Sequence, residues 1–318
     1  MEHRTVPTHA GRTHVVTEGE GPLVVFVHGF PESWYSWRFQ LPAVAAAGFR
    51  AAAVDVRGYG RSSRPAEVEA YRMTELVDDV ACVIDALGDG ADGAVVVGHD
   101  WGSPVTANAA LLRPDVVRAV ALLSVPYLPR GGPRPTEFYA AVGGEDTFYI
   151  DHFQRPGRAE AEIEPDVRGW LCGMYASLSA DTMSHDRTRN PFFVPPGGTM
   201  RERFATGRPA WLTPEVEEFY VGEFERTGLT GGLDRYRNVD RDWEDLEPYD
   251  GAPLTQPSLF VGGGLDPVVH GNRDAIGAFG TTLPGLRGSH VVPGAGHWVQ
   301  QEAPDAVNAL LVDWLRGL

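Results

Sequence analysis

The sequence predicts an α/β fold, a mostly parallel, doubly wound sheet interrupted by an inserted, mainly helical segment. Three observations carry this reading. Short apolar β-branched runs alternate with helical stretches over the first 125 or so residues, a rhythm that implies parallel strands with helices on both faces. The alternation stops after Pro126 and resumes at Ser258. Between Gly93 and Pro104 a buried-strand pattern runs through a Gly-His-Asp-Trp-Gly turn into a helix, the strand–turn–helix setting of a nucleophile elbow.

Taken in order, residues 11–18 read as an edge strand and 23–27 (LVVFV) as a strand buried on both faces. The latter ends in His28-Gly29-Phe30-Pro31. Residues 33–47 carry Trp34, Trp37, Phe39, Leu41 and Val44 and read as one helix with a bulky apolar face. Residues 51–54 form the next strand and lead into a glycine-rich turn, DVRGYGRSS. Residues 73–87 place Leu76, Val80, Val83, Ile84 and Leu87 on one helical face. The elbow follows, then its helix from Pro104 to Leu112 and a strand over 117–123. From 128 to 251 the composition turns to Pro, Gly, Arg and aromatics, with helical patterns at 165–178, 214–226 and 232–242. Strands at 258–261 and 289–292 and an amphipathic helix carrying Val307, Leu310, Leu311, Trp314 and Leu315 complete the chain. The core thus spans 1–127 and 252–318, and the insert is a helical cap over 128–251.

Composition narrows the function. A chain of 318 residues accommodates one large domain, or a core with an inserted subdomain. The formal net charge of −16 argues against nucleic acid or an anionic membrane as partner. All 27 basic residues are arginine, which base bias in the genome explains without any function. Cys82 and Cys172 offer neither a metal-ligand spacing nor a disulfide framework. The N-terminus lacks the apolar core of a signal peptide and no stretch is long enough to span a membrane, so a cytoplasmic location is expected.

The chemistry centres on Asp100. Gly98 and Gly102 allow strand and helix to approach closely and the residue between them to take a strained conformation. Most elbows of this kind hold Ser, and an Asp there points instead to a carboxylate nucleophile that forms an alkyl ester. Such a nucleophile needs a base to activate water for the second step, and the base needs an orienting acid. Asp266, after the strand at 258–261, and His297, after the strand at 289–292, follow Asp100 in the required order. His28-Gly29-Phe30-Pro31 falls where a second oxyanion donor is needed, so the backbone N–H groups of Phe30 and Trp101 are the expected oxyanion hole. Phe30, Pro31 and Trp101 are expected to border the substrate.

The stretches HGFPESWYSWRFQLPAVAAAGFR, DVRGYGRSS, GHDWGS, GLDPV and GHWVQQEAP together resemble the epoxide hydrolases of the α/β-hydrolase fold, of the soluble mammalian and bacterial type. The similarity runs from about Gly11 onwards and includes the cap. It implies a mostly parallel doubly wound sheet with a helical cap, and conversion of an epoxide to a vicinal diol through an ester on Asp100. It also implies two cap tyrosines that hold and protonate the epoxide oxygen. FYIDHFQRPG followed by AEAE matches the stretch carrying the first, at Tyr149, and DRYRN matches the second, at Tyr236. The expected partners are a small apolar epoxide and water, with no metal, organic cofactor, nucleic acid or membrane, and a monomer or homodimer as the assembly.

Haloalkane dehalogenase is the alternative, since it shares the fold, the Asp nucleophile and the His base. It needs N–H donors for halide, the Trp101 indole and a second, often Asn directly after His-Gly; here Phe30 stands there. The fluoroacetate-type enzymes favour arginines just after the nucleophile, where this chain has Trp101, Ser103 and Pro104. A non-catalytic relative would have lost a member of the set, and a serine esterase would need Ser in an elbow. Aromatic residues of the cap, Phe138, Trp170, Phe192, Phe193 and Trp211, suggest an apolar pocket.

Overall fold

The computed structural model describes residues 1–88, 93–143, 147–183 and 190–318; 144–146 and 184–189 of the predicted cap lie outside the described residues. An eight-stranded sheet is built from β1 (Glu2–Thr8), β2 (Gly11–Glu18), β3 (Leu23–Val27), β4 (Arg50–Val54), β5 (Ala94–His99), β6 (Val117–Leu123), β7 (Ser258–Gly263) and β8 (Leu286–Val292). The order across it is β1-β2-β4-β3-β5-β6-β7-β8. β1, β2 and β4 pair antiparallel, and every pairing from β4 to β8 is parallel.

Strands pointing side chains alternately to opposite faces explain the continuous apolar runs. Val25 and Val27 of β3 join one buried cluster with Ala52, Val96, Val120 and Leu122. Helices α2 (Met73–Leu87) and α3 (Gly102–Leu112) cover it with Leu76, Val80, Ile84 and Val105. Val24 and Phe26 join the opposite cluster with Ala51, Val95 and Val97. That face is covered by Trp37, by Leu41 and Val44 of α1 (Gln40–Ala46), and by Val307, Leu311 and Trp314 of the last helix, Pro304–Arg316.

Three sequence expectations are corrected. The edge strand is β1, not β2: only its Val6 is buried, and exposed Glu2, His3 and Arg4 give no apolar signal. Residues 33–47 are not one helix but a 3-10 turn, Trp34–Trp37, and α1. Pro42 has no N–H to give and is tolerated only in a first turn, which fixes the start of α1 near Gln40. Residues 232–242 divide at Asn238, whose side chain donates to Asp234 O at 2.8 Å and to Val68 O at 2.6 Å and so ties off the first helix.

Between β6 and β7 the described residues hold helices α4 (Pro135–Gly143), α5 (Tyr149–His152), α6 (Arg158–Ile163), α7 (Val167–Leu178), α8 (Pro214–Thr227), α9 (Thr230–Tyr236) and α10 (Val239–Asp245). They also hold one isolated bridge, Phe148 with Phe193. This segment is joined to the loops at the carboxyl ends of the strands. Phe30, Tyr59 and Trp298 from those loops share a buried cluster with Phe153, Trp170, Tyr175, Tyr220 and Tyr236. Tyr175 OH donates to Pro31 O at 2.6 Å, and the His297 amide donates to Leu178 O at 2.8 Å. After β7 come α11 (Pro267–Gly271), α12 (Arg273–Gly277) and α13 (Phe279–Thr282), and after β8 α14 (Val299–Glu302) and α15 (Pro304–Arg316). Among the described residues no helix is long and apolar enough to cross a membrane.

One of the tightest approaches in the core is at Gly102, where a Cβ would land on the carbonyl oxygens of Val27 and His28. Gly102→Ala is therefore expected to destabilise the fold by roughly 1–3 kcal/mol, the usual cost of overpacking. The urea midpoint should fall with the slope unchanged; an unaltered midpoint would show that β3 yields freely.

Candidate active site

Asp100 is the residue between the end of β5 and the first turn of α3, and it sits at φ +50°. L-residues rarely adopt that region, so the surroundings must hold it there. The Asp100 amide donates to Leu123 O at 3.3 Å and its carbonyl accepts from the Ser103 amide at 2.9 Å. The Ser103 hydroxyl accepts from the Leu123 amide at 3.0 Å and donates to Gly98 O at 2.8 Å. A Cβ at Gly29 would strike the Asp100 carboxylate, and one at Gly98 would strike the Gly102 carbonyl. The glycines of the motif are thus spaces that backbone and carboxylate occupy.

The two oxygens of Asp100 have different neighbours. Oδ1 accepts from the Phe30 amide at 2.8 Å, and Oδ2 faces His297 Nε2 at 3.3 Å. His297 Nδ1 meets Asp266 Oδ2 at 3.1 Å, and Asp266 Oδ1 accepts from the Val268 amide at 2.8 Å at the start of α11. Asp266 and His297 are buried. The Trp101 amide, one residue before α3, is among the N–H groups a helix leaves without an internal acceptor.

Electrostatics sets the charge states of Asp100 and His297. Burial alone would raise Asp100, but the hydrogen bond and charge of His297 outweigh it and hold the carboxyl below its ordinary 3.8. Burial alone would lower His297, yet the Asp266 charge and the Asp100 bond prevail, and the imidazole is held well above 6.5. In this state the arrangement is an imidazolium between two carboxylates.

Tyr149 opens α5 and Tyr236 closes α9, and their rings lie 5.9 Å apart. Tyr236 meets Phe30 edge-on at 5.3 Å and Trp101 at 5.0 Å, so it stands over both residues that flank Asp100. Burial first, and the Asp100 charge as well, push both phenols well above 10. They stay protonated, able to donate a hydrogen bond. Phe192 lies against Tyr149 at 5.3 Å and Trp170 meets Phe30 at 6.0 Å. Phe193 packs on Phe148 and Trp211 on Tyr175, one ring further out. Of the cap aromatics that suggested an apolar pocket, Phe138 is 51% exposed on α4 and stands outside any buried wall. Pro31 is buried and meets the insert through its carbonyl.

Sequence reasoning missed the groups that hold His297. Its carbonyl oxygen accepts from the Ser124 hydroxyl and from His99 Nε2, each at 2.8 Å. His99 Nδ1 meets buried Glu32 at 2.8 Å, and Glu32 also receives the Gln300 and Gln301 amides and the Gly29 amide. Glu302 accepts three backbone N–H groups, from Ala180, Gly296 and Trp298. The available signal was polar residues, Glu32, Gln300, Gln301 and Glu302, inside otherwise apolar motifs. Among the described residues the group of side chains spaced to hold a cation, His9, Asp78 and Cys82, includes none of these.

Residues 22–304 match the family described as the alpha/beta hydrolase fold. Among curated proteins the chain is 44% identical to "Epoxide hydrolase A" of Mycobacterium tuberculosis, covering 99% of this chain and 97% of that one. It is 41% identical to "Epoxide hydrolase B" of the same species, covering 99% and 98%. Among solved structures, an epoxide hydrolase from an endophytic Streptomyces is 60% identical with a TM-score of 0.97, over 99% of this chain and 95% of that chain. Epoxide Hydrolase A from Mycobacterium thermoresistibile is 45% identical with a TM-score of 0.92, over 100% and 98%.

If the Asp100 carboxylate holds His297 protonated, Asp100→Asn removes that charge and the His297 pKa falls. Proton NMR titration of the ring reads this directly. An imidazole that titrates as in the unaltered protein would rule the pairing out.

Proposed function

Because this chain belongs to the α/β-hydrolase family, and within it to the epoxide hydrolases, we propose that it opens its substrate in two covalent steps through Asp100. The chain is a hydrolase of epoxides, and halide expulsion is not favoured, since the relatives named above are all epoxide hydrolases. The observation that carries the mechanism is the division of labour between the oxygens of Asp100: Oδ1 sits on the Phe30 amide and Oδ2 is turned towards His297.

In the first step Oδ2 attacks an epoxide carbon and the ring C–O bond breaks, with the electron pair passing to the ring oxygen. Tyr149 and Tyr236 donate to that oxygen, and one of them gives it a proton. An alkoxide is a poor leaving group, so acids placed opposite the nucleophile lower the barrier where charge develops. The product is a hydroxyalkyl ester on Asp100.

Esterification makes Asp100 neutral. Two of the contributions that keep His297 protonated, the Asp100 bond and the Asp100 charge, then vanish. The imidazolium releases its proton, which restores the phenol, and a neutral base is left beside the ester. His297, oriented by Asp266, takes a proton from water, and the hydroxide attacks the Asp100 carbonyl carbon. Negative charge collects on Oδ1, against the Phe30 and Trp101 amides. Collapse breaks the alkyl C–O–acyl link at the acyl carbon, His297 protonates the leaving alkoxide to give the diol, and the proton left on the Asp100 acid returns to His297, which regenerates the carboxylate and the imidazolium. The net reaction adds one water to one epoxide. The segment 128–251 acts as the cap, and its aromatic lining suits a small apolar epoxide.

His297→Gln should accumulate the ester, visible as a mass increase equal to the epoxide on the peptide holding Asp100, and Asp100→Ala should form none. An unmodified His297→Gln protein would count heavily against the route. The Tyr149→Phe/Tyr236→Phe double variant should slow ester formation by roughly 10²–10⁴-fold, the usual worth of general acid catalysis. Single-turnover rapid quench measures this; an undiminished rate would remove the tyrosines from the chemistry.

The pH dependence has a definite sign. Asp100 is held below 3.8 and both phenols above 10, so ester formation should be flat from about pH 5 to about pH 9. Ester hydrolysis needs neutral His297 and slows as pH falls. The fraction of enzyme held as ester in the steady state should therefore rise towards acid pH, as quenched mass spectra would report; a fraction that falls would contradict the assignment.

A further inference from the structure

Beside the β1–β2 hairpin lies an open cleft of about 350 Å³ that the reaction above does not use. Five arginines wall it: Arg4 and Arg12 from the hairpin, Arg61 and Arg64 from the loop after β4, and Arg226 from α8. Among the described residues no acidic one lines it. Arg4 is paired with Glu2 and Arg226 with Glu223. The guanidinium groups of Arg12, Arg61 and Arg64 have no ion pair or hydrogen bond among the described residues; the bonds of Arg12 and Arg61 run through their backbone N–H groups. In a chain of net charge −16, three cations without a partner among the described residues line one concave surface. Such an arrangement raises the free energy of the empty site, and an anion would relieve it.

We propose that this cleft binds a diphosphate group. A monoanionic carboxylate would leave most of the unpaired positive charge uncompensated, whereas a diphosphate offers several oxygens to the planar forks of arginine. The net negative charge of the protein does not forbid this. At physiological salt charges are screened beyond about 8 Å, so the walls of the cleft dominate what an anion meets there.

The position gives the site a consequence. Arg226 Nη2 donates to Gly60 O at 3.0 Å, so the cleft straddles the seam between the sheet and the insert. The loop carrying Gly60 and Arg61 also carries Tyr59, which meets His28 edge-on at 4.8 Å and Phe224 of α8 at 6.1 Å. A bound diphosphate would tie α8 to the loop on which the Phe30 segment rests, and would stabilise the folded protein by mass action.

The test is thermal denaturation of the full chain at constant ionic strength with increasing inorganic pyrophosphate. A saturable rise in Tm is expected. The exposed pair Arg61→Ala/Arg64→Ala should weaken the apparent affinity about tenfold or more. Arg113→Ala, which removes a charge paired with Asp115 elsewhere on the surface, should titrate like the unaltered protein. ADP in a parallel arm separates the sources. Tighter binding than pyrophosphate assigns the site to an organic diphosphate, equal binding to the diphosphate group alone, and both uphold it. A Tm rise reproduced by sodium chloride, or one undiminished in the double variant, would overturn the proposal.

Discussion

Asp100 holds a left-handed backbone conformation in a turn with almost no free volume, and much of the molecule follows from that. The conformation is unfavourable for any residue with a Cβ. It persists because β5 and β6 are paired in the middle of the sheet, Ser103 bridges Gly98 and Leu123, and three glycines leave room for what crosses them. A carboxylate presented in this way projects beyond the strand ends, where the loops after β3, β7 and β8 converge on it. The strain at one residue is sustained by a sheet buried on both faces.

Charge then does what geometry alone would not. A buried carboxylate tends to take up a proton, and a buried imidazole tends to lose one. Placed together, and with Asp266 behind, each reverses the other's tendency: Asp100 stays ionised and His297 stays protonated. In the proposed cycle this pairing is also the timing device. The base is unavailable while the nucleophile is free and becomes available when the nucleophile is spent. Glu32, His99 and Ser124 keep the His297 backbone in place through the change.

Much of the fold could be read from the sequence because the parallel strands are buried on both faces. LVVFV and the run over 117–123 are uninterrupted apolar segments, and β3, β6 and α2 have the bounds their patterns predict. β1 was missed because only Val6 is buried, and the helices at 33–47 and 232–242 were joined because Pro42 and Asn238 act through local geometry that periodicity does not register. In the site, the order Asp100, Asp266, His297 follows from strand ends, and the structure brings the three within bonding distance. Tyr149 and Tyr236 came only from resemblance, since nothing in the spacing of an irregular insert distinguishes them from other aromatics. The Glu32–His99 and Ser124–His297 contacts join residues 67 and 173 positions apart, and no local pattern encodes such pairs.

The central claim is that the oxygen added to the substrate comes from Asp100 and is replaced from water afterwards. A single turnover in ¹⁸O-labelled water, with enzyme in excess over epoxide, tests it most directly. The account predicts an unlabelled diol and one ¹⁸O on the peptide containing Asp100. Label in the diol from that first turnover, with an unlabelled peptide, would mean that water attacks the epoxide directly and would contradict the account.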